Sequence, residues 1–329
     1  MRGKWTRKHV LFLAVGIAML IVWILAYRWD GGQTTAVASR TVRAAAPLML
    51  GALCGVIGER SGVFNIGIEG QMLFGAFTGF MTASYSGSLL LGMAAGLVGA
   101  MVLGLFLAWT AVTLKMDQII AGTVINVFAL GATSFYYVQG RTMPAFPEWS
   151  VPGLSELPLV GKMLFQHGPL TFLALVSPFI VYVALFKTRW GLRTRAVGEH
   201  PGAADTVGVN VIKKRYINLI IAAALAGFAG LHLLQSASSF DRGMTNGAGF
   251  IALAVMIIGR WHPFGAFAGA LLFGFFIALQ SQLQFNQALD IPPQFFGMIP
   301  YVLTIVVLAV AGLNARPPAA GGQVYEKEG

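Results

Sequence analysis

Long apolar stretches follow one another along almost the whole chain, with only short polar breaks between them. The first is Val10 to Tyr27, and nine more lie near 43–58, 63–85, 88–113, 118–138, 169–187, 216–236, 246–259, 264–282 and 298–313. Several contain about twenty residues, which is the length that a helix needs to cross a hydrocarbon core. With only 22 Lys+Arg and 12 Asp+Glu among 329 residues, the chain has too few charges for a water-facing surface of this size. We therefore predict an all-α, polytopic transmembrane helix bundle with about ten spans.

The basic residues indicate the orientation of these spans. Threading ten crossings from a cytoplasmic N-terminus places both termini in the cytoplasm, residues 139–168 outside and residues 188–215 inside. Sixteen of the 22 Lys and Arg side chains then lie inside and six outside, as the positive-inside rule requires. The net charge of +10 is thus a topology signal, and a nucleic-acid surface is not expected. The 246–259 stretch is short enough to be a re-entrant or broken helix, so the count can change by about two.

The motifs of several enzyme classes are absent from the sequence. The lone cysteine, Cys54, cannot form an intrachain disulfide, and no Cys/His cluster has metal-ligand spacing. No HExxH, GxSxG or GxxxxGK[ST] motif occurs. A membrane-embedded enzyme therefore has little support, and if ATP drives this protein, another chain must bind it.

Polar residues interrupt the apolar pattern in the segment GVFNIGIEGQM, Gly62 to Met72. It contains Asn65, Glu69 and Gln71 among three glycines. A carboxylate within a membrane span is costly and must face protein, water or the interface. One interpretation is a broken-helix hinge beside a solute pathway. The other is a simple cytoplasmic turn at Glu59 and Arg60, with Glu69 as an interfacial acid in the first turn of the next helix.

A second polar set lies in the predicted helix after Asp117. Gln118, Gly122 and Asn126 are each four residues apart, so they share one helix face. Such a stripe either bonds a neighbouring helix or lines a polar channel. Interhelix bonding is the simpler of the two.

The predicted inner loop from Gly191 to Val211 is long and basic at both ends. Pro201 can begin a short helix, and Gly208 can end it. A small-residue helix held along the membrane by flanking charges suits docking against a cytoplasmic protein. An ordinary solvated loop is the alternative.

Three segments carry a family resemblance. GVFNIGIEGQM, GLRTRAVGEHPGAADTVGV from Gly191 and GAGFIALAVMIIGRWHPFGAFAGALLFG from Gly247 resemble permease subunits of bacterial ABC importers in the branched-chain amino acid and ribose permease superfamily, most closely the nucleoside and simple-sugar group. Gln118 stands where a sister permease typically has an Asn-Glu pair, so the chain resembles the second of two non-identical permeases.

The resemblance covers a permease domain (40–313) with a coupling loop (188–215), whereas the N-terminal membrane helix and loop (1–39) and the cytoplasmic tail (314–329) carry none of it. It also implies a place in the bacterial plasma membrane and a heterodimer with a second permease. Separate ATP-binding cassette subunits would hold ATP and Mg, and an extracytoplasmic binding protein would deliver solute. No catalytic residue, metal or cofactor is then expected in this chain.

The resemblance and the polar motifs together give candidate residues. The predicted substrate pathway comprises Phe64, Asn65, Glu69, Gln118, Asn126 and Phe128. The predicted coupling residues are Glu199, His200, Pro201, Ala203, Ala204, Asp205 and Gly208. The outer residues that could meet a binding protein are Glu148, Trp149, Glu156, Lys162, Asp241 and Arg242.

Two alternatives stay open at this point. A branched-chain amino acid or ribose ABC permease would differ in solute and not in mechanism. An ion-coupled secondary transporter would need ionisable groups within its spans, and Glu69 is the one candidate in the sequence.

Overall fold

The computed structural model describes residues 25, 27–158, 160–286, 295, 297–311 and 316–326. Its membrane-length and shorter helices are α1 (Gly31–Glu59), α2 (Ile68–Ser86), α3 (Leu89–Ala108), α4 (Gln118–Tyr136), α5 (Gly161–Phe165), α6 (Pro169–Lys187), α7 (Arg189–Glu199), α8 (Pro201–Thr206), α9 (Val211–Ala237), α10 (Ala248–Ile258), α11 (Pro263–Asn286) and α12 (Ile299–Ala311). A π-helical turn, Trp109–Thr113, continues α3. The predicted crossing at residues 10–27 lies outside the described residues apart from Leu25 and Tyr27.

The helical prediction is confirmed with one small exception. Strands β1 (Trp149–Ser150) and β2 (Gln166–His167) pair antiparallel within the segment between α4 and α6. Two residues per strand give no alternating pattern to detect, which is why the sequence did not predict this hairpin.

Six of the described helices are long and apolar enough to cross a membrane. They are α1, α3 with its π-helical turn, α4, α6, α9 and α11. α10 is apolar but has only 11 residues, as expected for a broken helix. The chain is thus a multi-pass helical membrane protein.

α1 is the central helix of the bundle, with 89% of its most apolar window buried. It packs against α9, α10 and α11. A methyl group at Gly51 would lie 2.8 Å from the Ala252 side chain, and one at Gly55 would lie 2.6 Å from the Met256 sulfur. The two glycines, four residues apart on α1, therefore let α10 approach its backbone closely.

The two ends of the bundle differ. The first, here called the α8 end, carries the loop between α1 and α2, helices α7 and α8, the α10–α11 turn and residues 316–326, which contact one another. The second, the hairpin end, carries the segment between α4 and α6 and the loop between α9 and α10. All candidate residues lie between or at these ends.

Candidate functional site

Glu69 joins the beginnings of two helices. It lies in the first turn of α2, and its carboxylate accepts hydrogen bonds from the backbone N–H groups of Gly247 (2.8 Å) and Gly249 (2.6 Å) at the start of α10. The unpaired N–H groups and the dipole at a helix N-terminus favour a negative charge. A Cβ at Gly249 would lie 2.6 Å from the Glu69 backbone, so the two helix starts touch directly.

The structure places Glu69 in a first turn, and a role beside a solute pathway stays a prediction. The residue is a first-turn acid, but it also bridges to a short helix that begins inside the bundle. The polar backbone of that break is satisfied by protein, which is the condition for irregular backbone within a membrane. We name Glu69, Gly247 and Gly249 the helix-start junction.

The amide stripe on α4 holds the irregular segment that precedes α2. Gln118 Oε1 accepts from the Phe64 N–H (2.7 Å), Asn126 Oδ1 accepts from the Gly70 N–H (2.7 Å), and Asn126 Nδ2 donates to the Ile66 carbonyl (2.9 Å). Gly122, between the two amides, leaves no room for a Cβ, which would lie 2.8 Å from the Gly67 nitrogen. The stripe therefore bonds a neighbouring segment, as its simpler interpretation predicted.

A second amide pair is fully buried beside this segment. Asn65 Nδ2 donates to Gln71 Oε1 (3.0 Å) and contacts the Cys54 sulfur on α1 (3.4 Å). Neither amide is solvent-exposed, and buried amides are stabilising when they are bonded in this way. Asn65 thus fixes the segment to α1.

The two pathway phenylalanines lie in different surroundings. Phe128 on α4 is exposed and lies 6.1 Å from Phe74, centroid to centroid. The Phe64 ring is packed against the backbone of Gly321 and Gly322. The six predicted pathway residues therefore cluster around the α2 start, except Phe128, and their contact with solute stays a prediction.

The predicted coupling loop forms two helices, α7 and α8. His200 separates them, Pro201 is the first residue of α8, and Gly208 follows it with φ +84°. Within α8, Ala203 is exposed and Ala204 is buried beneath the helix against Val197 and Val211. Ala203 is consequently available to a partner, and Ala204 packs the helix onto the bundle.

The end of α7 touches the loop that leads to the Asn65 segment. A Cβ at Gly198 would lie 2.2 Å from the Arg60 carbonyl oxygen. Glu199 lies 3.8 Å from the Arg60 guanidinium, a partly exposed ion pair. Burial lowers the pKa of Arg60, and the Glu199 carboxylate opposes that shift. The approach of two backbones, more than the ion pair, defines this contact.

Arg60 also connects to the α10–α11 turn. Its Nε donates to the Trp261 carbonyl (3.1 Å), and Trp261 Nε1 donates to Glu59 Oε2 (2.5 Å). Contacts therefore run from the end of α7 through Gly198 and Arg60 to the end of α10. The start of α10 is held separately, by Glu69 in the helix-start junction.

A cavity of about 750 Å³ opens at the hairpin end. Arg40, Arg43, Glu148, Gln235 and His232 contribute to its lining. Arg43 pairs with Glu148 at 3.5 Å, and Arg40 donates to Gln282, so both arginines have partners. Of the predicted outer residues, Glu148 lies on this cavity and Trp149 is exposed in β1.

Sequence reasoning missed a polar cluster between α6 and α9 that borders this cavity. His232 Nε2 and Thr171 Oγ1 are 3.0 Å apart, and Gln235 accepts from the Leu170 N–H (3.1 Å). His232 was noticeable as a histidine inside an apolar stretch, but its partner is 61 positions away. Among the described residues, no three His, Cys, Asp or Glu side chains are grouped as metal ligands.

Comparisons with known proteins agree with these features. The family profile described as branched-chain amino acid transport system / permease component matches residues 37–308. The guanosine ABC transporter permease protein NupQ of Bacillus subtilis is 42% identical over 305 residues, covering 86% of this chain and 94% of that protein. The nucleoside ABC transporter permease protein NupC of Lactococcus lactis is 39% identical, covering 85% and 93% respectively.

A more distant relative is also named as a guanosine ABC transporter permease protein. The guanosine ABC transporter permease protein NupP of Bacillus subtilis is 26% identical over 255 residues, covering 71% of this chain and 70% of that protein. Since the family profile spans most of the sequence, this chain belongs to the branched-chain amino acid transport system permease component family.

Proposed function

We propose that this chain is one of two transmembrane permease subunits of an ATP-driven importer for nucleosides or closely related sugars. The solute class is supported by the names of the two relatives at 42% and 39% identity. The mechanism is supported by the contacts of Gly198 and Glu199, just before α8, with Arg60, and by the Glu69 hydrogen bonds that join the starts of α2 and α10.

The proposed topology has ten crossings, with the α8 end in the cytoplasm. The described part contributes nine elements: the six long apolar helices, α2, and the shorter α10 and α12. The segment at residues 10–27 would supply the tenth. The described tail, residues 316–326, lies at the same end as α8, which agrees with a cytoplasmic C-terminus. The membrane would be the bacterial plasma membrane.

The proposed partners act at opposite ends. At the α8 end, an ATP-binding cassette subunit carrying ATP and Mg would dock on the exposed side of α8. At the hairpin end, a substrate-binding protein would release solute. A second permease would complete the pathway, and the paired names NupQ and NupP in one organism agree with two unlike permeases.

The proposed cycle needs no covalent chemistry in this chain. ATP binding would move the docked ATPase and with it α8. Because Gly198 and Arg60 are in backbone contact, the movement would reach the loop before α2 and the turn after α10. Both helix starts would then shift together, since Glu69 bonds one to the other, and access would alternate between the two ends.

Purification of the tagged chain from its native membrane tests this proposal. We expect an ATPase and a second permease to copurify, and the complex in liposomes with its binding protein to import nucleosides only with ATP. Solute movement by the isolated chain without ATP would contradict it.

Substitution of Ala203 by glutamate tests the α8 docking site. A carboxylate on the exposed side of α8 would be desolvated against the ATPase, so we expect copurification of the ATPase and ATP-dependent uptake both to fall about tenfold or more. Ala145→Glu, at an exposed alanine of the opposite, hairpin end, is the matched control, and the ATPase should copurify with it as with the wild type. Normal ATPase recovery with Ala203→Glu would remove α8 from the docking surface.

A further inference from the structure

The C-terminal tail, residues 316–326, is fastened to several separate parts of the α8 end. The Ala320 N–H donates to the Gly198 carbonyl (2.9 Å), and the Ala319 N–H donates to Glu199 Oε2 (3.2 Å). Pro318 and Ala320 are buried, although the family profile ends at residue 308. The tail therefore has a specific position although it lies beyond the residues that the family profile matches.

Farther along, the tail covers the loop that carries Phe64. The Phe64 ring lies against Gly321 and Gly322, where an added Cβ would meet ring carbons at 2.9 and 2.7 Å. Gly322 has φ +76°, a conformation that other residues rarely adopt. This turn of the tail thus requires glycine for both its backbone and its contact.

The last described residues reach the beginnings of α9 and α4. The buried Arg215 side chain on α9 donates to the Gln323 carbonyl (3.1 Å), and a buried guanidinium is costly without acceptors. Tyr325 packs against the cluster that holds Ala204 under α8. Lys115 donates to Glu326 (2.5 Å), which lowers the pKa of Glu326, although such an exposed pair contributes little stability.

We propose that this tail is a strap that holds α8 and the Phe64 loop together as one moving unit. The tail is thus a positioning segment. This proposal rests on the proposed function only in assuming that the movement of α8 drives transport. The strap is a second connection beside the direct Gly198–Arg60 contact. One continuous segment forms hydrogen bonds with Gly198, Glu199 and Arg215. Without it, α8 would still dock the ATPase, but its displacement would be passed on incompletely.

Two variants test the strap in the assembled complex. One chain ends at residue 315, and the other carries Gly322→Val, which forces the tail off Phe64. Gly87→Val is the matched control, because Gly87 in the α2–α3 turn also has positive φ (+66°) but no atom within 4 Å of its Cβ position. In both strap variants we expect ATP hydrolysis close to the wild-type rate and uptake per ATP reduced about fivefold or more. The control should match the wild type in both measurements.

Hydrogen–deuterium exchange provides a readout that does not depend on transport. We expect faster exchange at residues 60–67 and 198–211 in both strap variants, and unchanged exchange at the hairpin end. If the wild-type complex shows no ATP-dependent uptake, the proposed function fails and exchange alone decides on the strap. The strap would be overturned by unchanged exchange or by unchanged uptake per ATP in the two variants. It would also be overturned if the truncated chain failed to assemble while Gly322→Val remained fully active.

Discussion

Replacing Glu69 with glutamine is expected to reduce ATP-dependent uptake by about tenfold to a hundredfold, the largest effect of any single polar substitution in this chain. The carboxylate accepts one N–H with each oxygen, from Gly247 and Gly249. Glutamine keeps one acceptor and places an NH₂ donor against the other N–H. One charge-assisted hydrogen bond, worth about 1.5–3 kcal/mol, is lost together with the negative charge at the N-terminus of α10. Uptake in proteoliposomes, corrected for the amount of complex, measures the effect.

Asp30→Asn is the matched control, because Asp30 is an exposed carboxylate that caps α1 and asparagine is an equally good cap. It should leave uptake unchanged. Full uptake by Glu69→Gln at normal abundance would show that the helix-start junction is dispensable for alternating access.

The same preparation separates a structural role of Glu69 from ion coupling. If its carboxylate carried a coupling ion, wild-type uptake would stop when the ion gradient is dissipated while ATP is present. We expect uptake to follow ATP and to be indifferent to the gradient. The geometry supports this expectation, because both carboxylate oxygens already accept backbone hydrogen bonds.

The helices were largely predictable because their signal is local. The apolar stretch at 169–187 coincides with α6, and the 246–259 stretch was recognised as short, as α10 with its 11 residues is. α1 begins earlier than its apolar stretch, at Gly31, because Asp30 caps it and its first turns are made of small polar and alanine residues. Composition identifies the membrane environment, whereas caps determine where helices begin.

The site was only partly predictable because its contacts join distant residues. The sequence singled out Glu69, but its partner Gly247 is 178 positions away, and no local pattern connects the two. Phe64 was predicted as a pathway residue, and no local pattern indicated that its ring packs against Gly321 and Gly322. In sequence, glycines in a polar tail look the same whether they belong to a flexible linker or to an ordered turn. Only the packed structure shows that this turn requires glycine.

Substituting alanine for Gly198 is expected to disconnect transport from ATP hydrolysis. The new methyl group would lie 2.2 Å from the Arg60 carbonyl oxygen and 2.8 Å from its carbonyl carbon. Backbone atoms cannot rotate away from it as a flexible side chain could, so the end of α7 must separate from the loop before α2. We expect uptake per ATP hydrolysed to fall about tenfold or more while the ATPase stays bound, because α8 itself is unaltered.

Gly131→Ala is the control, since Gly131 is also a helical glycine and a Cβ there has no atom within 4 Å. Alanine favours a helix interior over glycine by about 1 kcal/mol, so this variant should be at least as stable as the wild type. If Gly198→Ala and Gly131→Ala imported equally well per ATP, the movement of α8 could not be transmitted through Arg60. The mechanism would then require a different route, and the contacts of α7 with α6 and α9 would be the alternatives. A defect confined to Gly198→Ala would instead place the transmission of force at a contact between two backbones, where the absence of a side chain is the functional property.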